Sequence, residues 1–165
     1  LENLNEVVTL NTNTQAKKET INLHDKIINV QQNLSDLTDT NKLYIINTVS
    51  KDVNIEIVPA YLDSILINFI TNGVKYKHPD REPILKFSTE KKGGYTLLNI
   101  EDNGIGINME KYGSKLFGMY KTFHTNKDSR GIGLYITKNQ VEAMQGKIEV
   151  ESKVGEGTKF KVFFK

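Results

Sequence analysis

The clearest pattern along the chain lies between Tyr61 and Lys77. At helical spacing Leu62, Ile65, Leu66, Phe69, Ile70 and Gly73 share one broad face flanked by Ile67 and Val74, which predicts a largely buried helix. Pro59 suits its first turn, and His78-Pro79 closes it. Ser64, Asn68, Asn72 and Lys75 recur at i, i+4, i+8 and i+11 as a narrow polar stripe on the same helix. A buried amide without a partner costs about 1 to 3 kcal/mol, so these two Asn need backbone, water or a metal beside them.

Before this helix, Leu1, Leu4, Val7 or Val8, and Leu10 mark a short amphipathic helix, and Asn11 to Thr14 break it. Glu19 to Leu23 reads as a short strand, with Asn22 as cap of a helix over 24–38 that carries Ile27, Val30 or Gln31, Leu34 and Leu37. The β-branched runs 43–49 and 54–58 predict two strands with a turn at 50–52. After the polar-striped helix, 84–89 and 95–101 form a hairpin through Lys92-Gly93-Gly94. Residues 104–133 hold Gly104, Gly106, Gly113, Gly118, Gly131 and Gly133 with little periodicity, the mark of disorder or a functional lid. A helix restarts at Leu134 and ends near Gly146, and 147–152 with 158–164 close the chain as a hairpin around Gly155 and Gly157. This order gives an α+β sandwich with helices on one face of a mixed sheet, and not an alternating βαβ protein.

Composition narrows the chemistry. At 165 residues the chain fits one domain with an appendage, and its net charge of +2 is spread over 22 scattered Lys and Arg. Neither a nucleic-acid footprint nor a polybasic membrane patch follows. There is no cysteine, which removes disulfides, thiolate catalysis and thiolate zinc sites. His24, His78 and His124 lack metal-ligand spacing. No apolar run approaches a membrane span and no signal peptide opens the chain, while a start on Leu1 reads as a piece of a longer protein.

Three short segments carry candidate chemistry. Asp102 ends a strand and is followed by Gly104 and Gly106, so a fixed carboxylate sits where backbone and ligand approach closely. An ionised carboxylate only accepts hydrogen bonds and suits an exocyclic amine such as that of adenine; an ordinary Asp-Asn-Gly turn reads the same way. Ser129-Arg130-Gly131-Ile132-Gly133-Leu134 is a Gly-rich turn feeding a helix, where backbone N–H groups and the helix dipole attract phosphate. It is neither a P-loop nor a dinucleotide fingerprint. Phosphates bring Mg²⁺, a hard ion that takes oxygen ligands, and the Asn68, Asn72, Lys75 stripe offers amide oxygens and an ammonium.

Together these segments resemble the ATP-binding catalytic domain of sensor histidine kinases, in the GHKL superfamily shared with gyrase B, mismatch-repair ATPases and the ninety-kilodalton heat-shock chaperone. Asn68-Phe69-Ile70-Thr71-Asn72-Gly73-Val74-Lys75-Tyr76 resembles the N box, and Asp102-Asn103-Gly104-Ile105-Gly106 the G1 box. Leu116-Phe117 through Phe123 resembles the F box, Gly131-Ile132-Gly133-Leu134 the G2 box, and Gly155-Glu156-Gly157-Thr158-Lys159-Phe160 the closing hairpin. The resemblance implies a two-layer α/β sandwich on a mostly antiparallel sheet over 17–165, with 1–16 the end of a dimerisation and phosphoacceptor helix plus linker. It implies ATP and Mg²⁺ as cofactors: Asn72 holds Mg²⁺ with Asn68 beside it, Lys75 meets phosphate, Tyr76 lines the nucleotide and Asp102 bonds the adenine amine. Gly104 and Gly106 shape the adenine floor, Gly131, Gly133 and Leu134 approach the phosphates, Lys121 and Arg130 are lid cations, and Thr158 assists Asp102 through water.

The implied reaction moves the γ-phosphoryl group of ATP to a histidine on the dimerisation domain and later to a response regulator receiver domain. The implied setting is the cytoplasm, with no nucleic acid and no direct membrane contact. Two departures stand out. Ser129 replaces the Gly that usually opens the G2 box, and no histidine is followed by the family's acidic, Arg and Pro pattern; His24-Asp25-Lys26 breaks it, so His24 reads as a surface helix residue. ATP-hydrolysing relatives carry Glu where Asn68 stands, and an amide cannot take that proton. A degenerate module working by protein contact is the alternative from another class.

Overall fold

The computed structural model describes residues 17–118 and 132–165. The expected helix over 1–10 lies outside them. In chain order the elements are β1 (Glu19–Asn22), α1 (Leu23–Asn33), α2 (Ser35–Thr40), β2 (Tyr44–Asn47), β3 (Asn54–Ile57) and α3 (Pro59–Lys75). They continue with β4 (Ile84–Lys92), β5 (Tyr95–Asp102), α4 (Met109–Tyr112), a 3-10 turn (Gly113–Lys115), α5 (Ile132–Ala143), β6 (Lys147–Lys153) and β7 (Gly157–Phe164).

A five-stranded sheet in the order β2-β4-β5-β7-β6 forms one layer; only the β2-β4 pair is parallel. Strand alternation sorts the side chains into rows across this sheet. Phe87, Ile100, Phe160 and Val150 lie opposite one another in one row, and Thr89, Leu98, Val162 and Ile148 in the next. Against these rows lies α3, whose Tyr61, Leu62, Ile65, Leu66, Phe69, Ile70 and Gly73 are all buried, as its hydrophobic face predicts. Phe69 meets Phe160 with ring centroids 4.9 Å apart. Gly73 faces Leu43 and Leu85, and a Cβ there would lie 3.6 Å from both, in ordinary van der Waals contact.

Three expectations are revised. The helix expected over 24–38 is two, because Leu34 leaves helical geometry (φ −103°, ψ 16°) among short polar neighbours that compete with the helix backbone. The runs 43–49 and 54–58 do not pair: β3 joins β1 in a separate antiparallel pair, while β2 runs parallel to β4. Thr48 turns the chain out of β2 by giving both its N–H and its hydroxyl to Phe87 O, each at 3.0 Å. His24 is no plain surface residue. Its ring nitrogen Nδ1 lies 2.6 Å from Val49 O, and since a carbonyl only accepts, the imidazole donates and anchors the loop after β2. Among the described residues no helix is long and apolar enough to cross a membrane.

Candidate nucleotide site

The apolar rows of the sheet end in a polar one. Leu85, Asp102, Thr158 and Ser152 stand opposite one another across β4, β5, β7 and β6, on the face that carries the core. Asp102 Oδ1 accepts the N–H of Gly104 at 2.9 Å and of Thr158 at 3.2 Å. Neither bond uses Oδ2, so one carboxylate oxygen is fixed by backbone and the other keeps its accepting capacity. Burial pushes the Asp102 carboxyl above the usual carboxylate range; the two backbone N–H groups pull it back, Glu101 pushes it up further and Arg81 draws it down.

Ser152 orders the next link in this row. Its Oγ accepts the N–H of Ile107 at 2.8 Å and donates to Gly157 O at 2.9 Å. A hydroxyl has one hydrogen, so the 2.7 Å contact to Thr158 Oγ1 runs from Thr158 to Ser152. Thr158 also binds the Asp102 carboxylate directly with its backbone N–H.

The loop after Asp102 is held against α3 and against the β6-β7 turn. Tyr76, at the end of α3, turns its carbonyl out of the helix to accept the N–H of Ile105 at 3.0 Å. Ile105 O in turn accepts the N–H of Gly155 at 2.8 Å. Gly106 has φ +74°, and a Cβ there would lie 2.1 Å from Lys153 O, so both the conformation and the approach exclude a side chain. Asn103 closes the base of the loop with Oδ1 on Ile84 N at 2.8 Å and Nδ2 on Glu82 O at 2.9 Å.

Asn68, in the polar stripe on α3, faces α5. Asn68 Nδ2 donates to Thr137 Oγ1 at 2.7 Å, and a Cβ on Gly133 would stand 2.3 Å from Asn68 Oδ1. Gly133 thus permits the close crossing of the two helices beside the Asn68 amide. Leu134 is buried in the core with its side chain, so a ligand would meet only its backbone. Asn72 is half-buried, and Lys75 is exposed in the last turn of α3. Leu116 is fully buried, and Phe117 packs edge-on against Phe160 at 6.4 Å. Lys121, Phe123, His124, Ser129, Arg130 and Gly131 lie outside the described residues.

Comparison with known proteins bears on this geometry. The sequence profile of the Histidine kinase-, DNA gyrase B-, and HSP90-like ATPase family matches residues 57–165. The chain belongs to this family. Sensor protein RprX of Bacteroides fragilis is 33% identical over 104 residues, 61% of this chain and 20% of that protein. The signal transduction histidine-protein kinase ArlS of Staphylococcus aureus is 25% identical over 154 residues, 90% of this chain and 33% of that protein. The chain spans a third or less of the length of these two curated relatives. Full-length ShkA, solved in complex with AMPPNP, has the same fold: TM-score 0.78 over 99% of this chain and 35% of that one, at 20% identity. The α+β architecture is therefore that of histidine kinase catalytic domains.

Within this ATPase fold, the donor set fits Mg²⁺ in a particular way. Among the described residues no three His, Cys, Asp or Glu cluster as ligands, so these residues alone offer no strong cage. Asn68, with its NH₂ committed to Thr137, has its carbonyl Oδ1 left to accept, and Asn72 adds a second amide oxygen one turn on. A few neutral oxygens suit an ion that keeps its waters and shares phosphate oxygens.

Sequence reasoning gave no individual role to Arg81, Asn103, Thr137 or Ser152. Ser152 was within reach, since the turn at Gly155 sets it opposite Thr158 once the hairpin register is counted. Arg81 and Thr137 left no sequence signal, because their partners are 22 to 74 residues away in the chain.

Proposed function

We propose that this domain binds Mg-ATP and presents its γ-phosphoryl group to a histidine on a separate dimerisation domain. One observation carries the reading: a polar row, Asp102 with Thr158, in which Asp102 Oδ2 keeps its accepting capacity, ends an apolar sheet face beside a helix bearing two amides. Asp102 Oδ2 would accept from the adenine amine, while the Gly104 to Ile107 loop, held by Tyr76 O and Ser152, forms the floor beneath the ring. Asn72 and Asn68 would hold Mg²⁺, Lys75 would meet phosphate, and Tyr76 would line the nucleotide. The N–H groups of Gly131, Gly133 and Leu134 would face the phosphates at the start of α5, with Lys121 and Arg130 as lid cations. Mg²⁺ supplies charge neutralisation on the β- and γ-phosphate oxygens.

Transfer forms an N–P bond at the incoming imidazole and breaks the bond between the γ-phosphorus and the oxygen bridging to ADP. Positioning and charge neutralisation supply most of the catalysis, so this chain needs no nucleophile of its own. Asn68 fits transfer rather than hydrolysis, because an amide cannot take a proton from water. Residues 1–16 are read as the end of the dimerisation helix plus linker, a response regulator receiver domain as the later acceptor, and the cytoplasm as the place of work.

The test is to mix the chain and labelled Mg-ATP with a separately made, His-bearing dimerisation domain of the same parent. Acid-labile phosphate on the dimerisation domain is expected, and none on the chain alone. Label on the isolated chain, or hydrolysis without transfer that is lost in Asn68→Ala, would overturn the proposal.

A further inference from the structure

The loops on either side of Asp102 are tied to each other by one side chain. Arg81, in the connection between α3 and β4, sends Nε to Asn103 O at 2.7 Å and Nη2 to Gly104 O at 3.0 Å. The same Nη2 reaches Gly155 O at 2.7 Å in the turn between β6 and β7. Three carbonyls from two loops that are 51 residues apart therefore converge on one guanidinium, Gly104 and Gly155 being the ends of that interval. Both loops lead directly into Asp102: Gly104 N–H binds its Oδ1, and the β6-β7 turn runs through Gly157 into Thr158, whose N–H binds the same oxygen.

We infer that Arg81 is a positioning residue for purine recognition, a planar clip that sets the spacing of the two loops and thereby aims the free oxygen of Asp102. The argument is geometric. Asp102 Oδ1 is held by the Gly104 N–H of the loop that follows it and by the N–H of Thr158 at the start of β7, so its orientation depends on where that loop sits relative to the turn that leads into β7. The N–H of Gly155 to Ile105 O and the N–H of Ile107 to Ser152 Oγ also join the first loop to the β6-β7 hairpin, but further along the loop from Asp102. At its mouth, next to Asp102, the clip is Arg81. The rigid fork of a guanidinium serves two or three carbonyls at once, whereas a lysine ammonium is a point charge on a flexible stem and does not fix the angle between them. Arg81 is itself exposed, so its bonds add little to global stability, and their effect falls on local geometry. The proximity of its charge to Asp102 also favours the ionised carboxylate.

This inference rests on the adenine-nucleotide reading above, and the experiment separates the two. Mg-ATP and Mg-GTP affinities are measured by calorimetry for the unmodified chain, Arg81→Gln and Arg81→Lys, alongside the melting temperature of each nucleotide-free protein. Expected is a roughly tenfold weaker ATP affinity in Arg81→Gln and a fall in the ATP-to-GTP ratio, since a misplaced binding group forfeits its interaction. Arg81→Lys is expected to recover less than half of that loss. In the transfer assay the change should fall on KM for ATP with kcat unchanged. If the unmodified chain shows no preference for ATP, the nucleotide reading itself fails. If it does, and Arg81→Gln keeps both affinity and preference, or Lys restores both fully, the clip is overturned. A lower melting temperature with an unchanged ATP-to-GTP ratio assigns Arg81 to stability alone and overturns it equally. Should Arg81→Gln not fold, Arg81→Lys decides by the same ratio.

Discussion

Asp102→Asn is expected to bind ATP at least a hundredfold more weakly than the unmodified chain while folding as well or better. The isosteric amide keeps Oδ1 for the N–H groups of Gly104 and Thr158, so the loop stays in place. Its other atom becomes an NH₂, which meets the adenine amine donor to donor and favours a carbonyl there instead. Loss of a buried, charge-assisted bond together with creation of an opposed pair is worth about 3 kcal/mol, or roughly two powers of ten in affinity. GTP binding should rise as ATP binding falls. Stability moves the other way because burial raises the Asp102 pKa in the folded state. A carboxyl whose folded pKa lies above its unfolded value contributes stability fully below the unfolded pKa, and that contribution is lost as pH rises through the folded pKa. At neutral pH the ionised Asp102 is therefore a cost to the fold that the neutral Asn removes. In the unmodified chain, ATP affinity should weaken as pH falls through the raised Asp102 pKa, and Asp102→Asn should lose that pH dependence. Calorimetric titration and chemical denaturation across pH check both halves; an Asn variant with unaltered ATP preference would remove Asp102 from the site.

Gly157→Ala should be among the most damaging single methyl additions to this protein. Gly157 has φ +130°, outside the range of L side chains, and a Cβ there would stand 2.0 Å from the carbonyl oxygen of Asp102. The obstacle is backbone at the end of β5, held by its pairing with β7, so it cannot swing aside as a side chain can. Relief requires β7 to move from β5 at the row where Thr158 binds Asp102, breaking that bond and the Ser152 link beside it. A cost of about 3 kcal/mol or more is expected, within the tail of large single-site effects. Denaturant unfolding measures it, and ATP binding should fail in the fraction that remains folded. Gly155→Ala is the control: its φ is +83° but nothing lies within 4 Å of its Cβ, so it should cost less and spare binding.

The parts of this molecule visible in the sequence are those governed by local periodicity. The buried face of α3 follows from residue spacing alone, and the β4-β5 and β6-β7 hairpins from alternation around Gly pairs. The partner of each strand was less visible, since β1 with β3 and β2 with β4 are joined across intervening elements, and four-residue strands carry little register information. Within the site, Asn68 stood out as a polar position on an apolar helix, Asp102 by the glycines that follow the end of its strand, and Gly133 by the Gly-rich turn that feeds a helix. The second tier did not. Thr137 reads as an ordinary helix residue until α5 crosses α3 at Gly133 and puts its hydroxyl on Asn68. His24 shows the opposite error: it read as a surface helix residue once the phosphoacceptor pattern failed after it, while the folded loop brings Val49 O to its ring nitrogen.

The most direct test of the central claim, an adenine-reading nucleotide pocket between α3 and the polar end of the sheet, is thermal unfolding of the unmodified chain with Mg-ATP or Mg-GTP. ATP at a hundred times its Kd should stabilise the fold by about 2.7 kcal/mol, and GTP at the same concentration should leave the melting temperature where it is without nucleotide. A melting temperature indifferent to ATP, or raised equally by GTP, would contradict the account.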